Sequence, residues 1–186
     1  EFCAKIMFKR DPFRIEEILN GINARKDLVK RISKITEQRD LEILDVGCGI
    51  LGSKFVNMYS ERFPKTKVWG LDKRFYEEEK IELDFLFDRK MVKDKIIADA
   101  RYMPFREECI DLAYAGWIIP HLVIENNGSY EIAKECYRVL RKGGLFVVEG
   151  KTIEKGITEK DLLEIGYQRF TKIQEYGIGQ VFIGVK

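Results

Sequence analysis

The sequence predicts an α/β fold built on a doubly wound, mostly parallel sheet with helices on both faces. Three observations predict it. An apolar run, Ile43-Leu44-Asp45-Val46, stops at a glycine-rich turn, Gly47-Cys48-Gly49-Ile50-Leu51-Gly52, and a helix opens at Ser53. Beyond that turn, short apolar runs alternate with helix-like stretches up to Glu149. Two strand-like runs, about 167–176 and 180–185, then close the chain as a hairpin around Gly177-Ile178-Gly179. A chain of 186 residues that is 45% hydrophobic suits one compact domain over 1–186 with a real core.

The elements follow in order. Over 12–20, Phe13, Ile15, Ile18 and Leu19 share one helical face, with Pro12 at the start and Asn20-Gly21 as a stop. A second helix is expected over 24–37, with Leu28, Val29, Ile32 and Ile35 as its apolar stripe and Asn23 as its N-cap. Its other face carries Arg25, Lys26, Lys30, Arg31 and Lys34. That face reads as solvated, because no aromatic platform for RNA is interleaved with the charges. These N-terminal helices, about 1–38, are candidates for a lid over a pocket.

Strand one is expected over 41–46, and the helix after the turn over 53–62, ending near Pro64. Strand two runs over 67–72 and closes on Asp72. Over 73–92, Glu77-Glu78-Glu79 argues for solvent, while Ile81, Leu83, Phe85, Leu86 and Phe87 argue for burial. A helix is expected in the earlier half, and the segment is a candidate pocket wall. Strands three and four are placed at 95–98 and 109–115. Ser129 caps a helix that runs through Arg141 and ends at Gly143-Gly144, leading into strand five over 145–149. Thr158-x-x-Asp161 reads as a capping-box variant that opens a short helix to Ile165.

Composition narrows the function. A formal net charge of +2 gives no strong electrostatic case for nucleic acid. Charged residues reach 34% with few Asn and Gln, a usage that resembles thermophile proteins. Cys3, Cys48, Cys109 and Cys136 lack metal-ligand spacing and read as free thiols of a reducing compartment. No metal site is expected. No apolar run approaches the ~20 residues that span a bilayer, and no signal peptide is read. The expectation is a cytoplasmic protein with no membrane partner.

Asp45 decides what the glycine turn means. The spacing Gly47-x-Gly49-x-x-Gly52 satisfies the dinucleotide fingerprint. A carboxylate two residues before the first glycine would repel a pyrophosphate. It would welcome a ligand that carries an ammonium and a sulfonium. Asp45-Val46-Gly47-Cys48-Gly49 resembles motif I of the class I S-adenosylmethionine-dependent methyltransferases, of the small-molecule type similar to the methyltransferase-11 domain family. The family often has glycine where Leu51 stands, and here it falls at Gly52.

The resemblance extends from about residue 41 to 150 and implies a three-layer, seven-stranded sheet whose last strand inserts antiparallel between its neighbours. It implies S-adenosylmethionine as cofactor, S-adenosylhomocysteine as product, and a cofactor turn of Asp45, Gly47, Cys48 and Gly49. Asp72 lies 20 residues after Gly52, where an acidic residue meets ribose hydroxyls in either cofactor class. Lys73 and Arg74 follow, which raises the prospect of an extra phosphate nearby. Asp99-Ala100-Arg101-Tyr102-Met103-Pro104-Phe105 resembles the family's segment after strand three. There the aspartate accepts from the adenine amino group, and the N–H of the next residue, here Ala100, faces the ring. The bland alternative is a turn carboxylate before Pro104.

Gly116-Trp117-Ile118-Ile119-Pro120-His121-Leu122 resembles the segment that lies over substrate and cofactor. It implies Gly116 at the cofactor, and Trp117 and His121 at the substrate. Pro120 stands where the family has a first histidine. His121 is the only histidine, and it reads either as a structural residue or as a substrate contact and general base. Tyr114 and Glu149 are further candidate bases, Glu149 being read as a rim carboxylate or a solvated turn. The motifs used for exocyclic amine and C5 pyrimidine methylation are absent, which lowers nucleobase targets without removing other RNA or protein acceptors; the resemblance to the small-molecule type implies a small-molecule acceptor in preference to protein or RNA. The oligomeric state is not legible. Two other functions compete: a catalytically silent cofactor- or partner-binding module of the same fold, and an NAD(P)-dependent oxidoreductase. Asp45 and the terminal hairpin stand against the latter.

Overall fold

The computed structural model describes residues 39–49, 65–73, 94–116, 128–150, 156–175 and 179–186, with Lys30, Ser33, Glu61 and Ile118 besides. Glu1–Arg39 forms one compact unit and Asp40–Lys186 another. In the first, Lys30 and Ser33 are helical. The expected helix over 12–20 lies outside the described residues, as does the rest of that over 24–37. So do the helix over 53–62, except for the helical Glu61, and the segment 74–92.

The second unit is organised by β1 (Leu41–Val46). Leu41, Ile43, Leu44 and Val46 have no exposed surface, as a strand covered on both faces requires. It pairs in parallel with β2 (Thr66–Asp72) on one side and β4 (Ile110–Gly116) on the other. β3 (Asp94–Ile97) continues the sheet beyond β2, and β5 (Leu140–Gly150) continues it beyond β4, both in parallel. The chain then returns through β6 (Gln168–Glu175) and β7 (Gly179–Val185). β7 is antiparallel to both β5 and β6 and lies between them. The strand order is β3-β2-β1-β4-β5-β7-β6. The mostly parallel sheet with an inserted antiparallel last strand is therefore as the sequence implies.

Two helices are described, α1 (Gly128–Val139) and α2 (Glu159–Ile165). Ile132, Ala133, Cys136 and Val139 recur at helical spacing along α1. They join one buried cluster with Leu44 and Val46 of β1, Ala113 and Ala115 of β4, and Phe146 and Val148 of β5. Leu162 of α2 and Tyr167 complete it. Tyr167 stacks on Phe146 at 5.2 Å and donates its buried hydroxyl to the Ala133 carbonyl at 2.9 Å. At α2 the expected capping box is complete. The Asp161 N–H donates to Thr158 Oγ1, and the Thr158 N–H donates back to Asp161 Oδ2. Gly166 ends the helix at φ 116°.

Three boundaries here differ from expectation: α1 begins at Gly128, so Ser129 lies inside the helix and is not its N-cap, the helix ends early, and strand five starts before Leu145. α1 stops at Val139, not Arg141, and β5 begins at once with Leu140. Leu140 pairs with Ile110, after which the register shifts so that Leu145 pairs with Leu112. Gly143, at φ 77°, serves this irregularity in the strand. Its N–H donates to the Lys186 carbonyl at 2.8 Å. Arg141 leaves the helix to reach Asp111, whose carboxylate is 1% exposed and also accepts the Glu42 N–H. Satisfying that buried charge outweighs two more helical residues. No helix among the described residues is long and apolar enough to cross a membrane.

Candidate active site

The candidate site lies where β1, β2, β3 and β4 end. In an open parallel sheet this carboxyl edge, at the point where strand order reverses, is where ligands bind. Here the reversal falls between β1 and β4.

The turn after β1 hooks over the end of β2. The N–H groups of Gly47 and Cys48 both donate to the Leu71 carbonyl, at 2.8 and 3.2 Å. Gly47 and Gly49 have φ of 71° and 60°, left-handed values that glycine adopts without penalty. A Cβ at Gly47 would sit 2.8 Å from Cδ1 of Ile118, so the turn closely approaches the segment after β4. At Gly49 a Cβ would meet nothing within 4 Å among the described residues. No described side chain covers the backbone of the turn at Gly49.

Two carboxylates flank it. Asp45 is 1% exposed at the penultimate position of β1. Asp72, the last residue of β2, accepts the Gly49 N–H at 2.9 Å. Between them the Cys48 thiol is pushed up to about 12, first by burial and then by the charges of Asp45 and Asp72. It is neutral at physiological pH and acts as a small apolar spacer, its Sγ 3.4 Å from the Gly49 carbonyl.

β3 is tied to β2 by the Ala98 N–H, which donates to the Asp72 carbonyl at 3.0 Å. Asp99 follows. Both of its oxygens are held by the Arg101 guanidinium, the shortest contact being 2.6 Å, and Lys73 Nζ stands 3.5 Å away. The Arg101 N–H also donates to Asp99 at 2.9 Å. The Arg101 hydrogen bonds hold the Asp99 carboxyl well below the usual carboxylate range, with Lys73 adding to them. Ala100 is buried behind it. The next residues are clamped to α1: Met103 N–H donates to Glu135, and Arg138 donates to the Met103 and Phe105 carbonyls and to Glu135.

β4 ends at Gly116 beside Tyr114, whose hydroxyl donates to Glu149 Oε2 at 2.6 Å. Trp117 and His121 lie outside the described residues.

The fold thus brings Asp45, Gly47, Cys48, Gly49, Asp72, Lys73, Asp99, Ala100 and Gly116 to one edge of one sheet. Sequence reasoning missed the Arg101 fork on Asp99, although an arginine two residues after a turn carboxylate signals it. It also named Tyr114 and Glu149 separately without pairing them. A left-handed glycine turn, with a buried carboxylate on one side and an acidic strand end on the other, suits a ligand that is cationic at one end and hydroxylated in the middle.

Residues 44–148, more than half of the chain, match the methyltransferase domain family. The chain belongs to that family. Among solved structures it is similar to an S-adenosylmethionine-dependent methyltransferase of Methanosarcina mazei, with 19% identity and a TM-score of 0.51 over 80% of this chain and 93% of the other. It is also similar to one from Archaeoglobus fulgidus, with 14% identity and a TM-score of 0.56 over 94% and 99%. A third is the 16S rRNA adenine-N1 methyltransferase of Catenulisporales acidiphilia, with 13% identity and a TM-score of 0.53 over 84% and 90%. At these identities the likeness is one of fold. No curated protein sequence matches the chain.

Proposed function

We propose that this protein transfers the methyl group of S-adenosylmethionine to a small-molecule acceptor, acting mainly by holding the two reactants in line. The observation that carries the reading is Asp45, a carboxylate 1% exposed two residues before a left-handed glycine turn whose Gly49 N–H is bound by Asp72. When bound, the cofactor supplies an electrophilic methyl on a sulfonium. The chain's own residues then bind and orient. Asp45 takes the ammonium of the methionine end, and the backbone of Gly47, Cys48 and Gly49 lines that end. Asp72 takes the ribose hydroxyls, with Lys73 beside it. Asp99 and the Ala100 N–H face the adenine. Because Arg101 already occupies the Asp99 carboxylate, adenine recognition includes a shift of that guanidinium. Gly116 borders the cofactor at the end of β4, the space of its missing Cβ being filled by Tyr114, and Trp117 and His121 belong to the acceptor side.

A silent module of the same fold that binds cofactor or a partner is the second reading, and the Arg101 fork on Asp99 favours its partner-binding form, since the guanidinium occupies the adenine subsite. An NAD(P)-dependent oxidoreductase is opposed by Asp45 and by the inserted β7. Calorimetric titration of Asp45→Ala with S-adenosylmethionine tests the main reading. Affinity should fall about tenfold or more, as for loss of a charge-assisted contact. Unchanged affinity would remove Asp45 from the site.

A further inference from the structure

Tyr114 and Glu149 form a buried polar pair that cofactor binding leaves unused. Strand alternation sends Ala113 and Ala115 of β4, and Phe146 and Val148 of β5, into the cluster under α1. Tyr114 and Glu149 therefore lie on the opposite face. Asp45 is the register partner of Tyr114, so three neighbouring strands present Asp45, Tyr114 and Glu149 on that face.

The direction of Tyr114 is informative. Its register partner on β5 is Val147, yet its hydroxyl bonds Glu149, the partner of Gly116. The side chain therefore reaches along β4 toward the carboxyl edge. Gly116 permits this: a Cβ there would lie 2.5 Å from the Tyr114 hydroxyl and ring edge. The hydroxyl stands level with Gly116, one strand away from the turn that opens at Gly47. Tyr114 and Glu149 are only 4% and 8% exposed. Among the described residues Tyr114 is the hydrogen-bond partner of Glu149, and no lysine or arginine pairs with it. A buried carboxylate with no described cation beside it suits a ligand that brings it a proton or a positive charge.

We propose that Tyr114 and Glu149 together are the proton acceptor facing the transferring methyl group, and that the methyl acceptor is a nucleophile bearing an O–H or N–H. The proposal rests on the glycine turn being an S-adenosylmethionine site. As the acceptor's lone pair forms its bond to the methyl carbon, the carbon–sulfur bond breaks and its electron pair stays on sulfur. The acceptor's proton passes to Tyr114 Oη while the proton of Tyr114 passes to Glu149 Oε2. Glu149 ends as the neutral acid and later gives its proton to water. One positive charge on sulfur and one negative charge on Glu149 vanish together.

The test is calorimetric titration of the full chain with S-adenosylhomocysteine and with sinefungin, which carries an amine-bearing carbon in place of the methylated sulfur. The ammonium of sinefungin stands where the methyl would, and so reports a proton acceptor facing that point. Glu149→Gln should weaken sinefungin about tenfold and leave S-adenosylhomocysteine within about twofold. Tyr114→Phe should split the two ligands in the same direction. An equal loss for both ligands, or no loss for either, overturns the proposal. If Glu149→Gln fails to fold by circular dichroism, Tyr114→Phe, which keeps the ring, decides the matter. Failure of the unsubstituted protein to bind either ligand is a different result: it overturns the cofactor site itself.

Discussion

The backbone N–H of Gly49 donates to the carboxylate of Asp72 at 2.9 Å, joining the turn after β1 to the last residue of β2. The Gly47 and Cys48 N–H groups converge on Leu71 one residue earlier. Pairing of β1 with β2 in register brings these sequence-distant groups together. The turn is thus held in its ligand-facing shape by the residue proposed to grip the ribose, which is preorganisation in the physical sense.

Asp72→Ala removes that acceptor and both roles with it. Affinity for S-adenosylmethionine should fall about tenfold or more, and Asp72→Asn, which keeps one acceptor oxygen, should lose less. Isothermal calorimetry on the two variants checks the order. Equal affinity in Asp72→Ala would refute the ribose role.

Gly47→Ala and Gly49→Ala separate backbone strain from crowding. Both place alanine at positive φ, which costs about 1–2 kcal/mol. Only the first also drives a Cβ to 2.8 Å from Ile118, adding roughly 1–3 kcal/mol of overpacking. Urea unfolding should show Gly47→Ala the more destabilised. The reverse order would contradict the approach of Ile118 to the turn.

These positions were legible in the sequence because a turn against a buried strand leaves few alternatives. The apolar run of β1 and the glycines after it give the element, its end and the ligand edge together. Strand bounds for β2, β3, β4, β6 and β7 fall within one residue or two of expectation, since alternating or continuous apolar runs define them. The end of α1 was not legible. Arg141-Lys142-Gly143-Gly144 has the composition of a helix terminus, but a buried Asp111 elsewhere in the chain claims Arg141. Local pattern cannot show a partner 30 residues away in sequence. The Tyr114–Glu149 bond escaped for the same reason, as did the clamp of Arg138 on Met103 and Phe105.

Arg138 gives a stability prediction. Its guanidinium satisfies two carbonyls and Glu135 at once. Arg138→Ala should cost about 2–4 kcal/mol in urea unfolding, because both carbonyls lose this donor and Glu135 keeps only the Met103 N–H. Arg138→Lys should recover only part of it, lacking the planar fork. Full recovery by lysine would show that charge alone matters.

Asp99 gives a pH dependence. Arg101 holds its folded pKa below the unfolded carboxylate value of about 3.9. A group depressed on folding stabilises the folded state above the unfolded pKa, and that contribution disappears as pH falls toward the folded value. Arg101→Gln should therefore melt at a lower temperature than the parent at pH 7, and the gap should close as pH falls from about 5 toward 2. A gap that stays constant over that range would contradict the ion pair.

The most direct measurement is calorimetric titration of the purified chain with S-adenosylmethionine, S-adenosylhomocysteine and NADPH in parallel. The first two should bind saturably at one site and the third not at all. Binding of NADPH alone would contradict this, since Asp45 would then be tolerating a pyrophosphate.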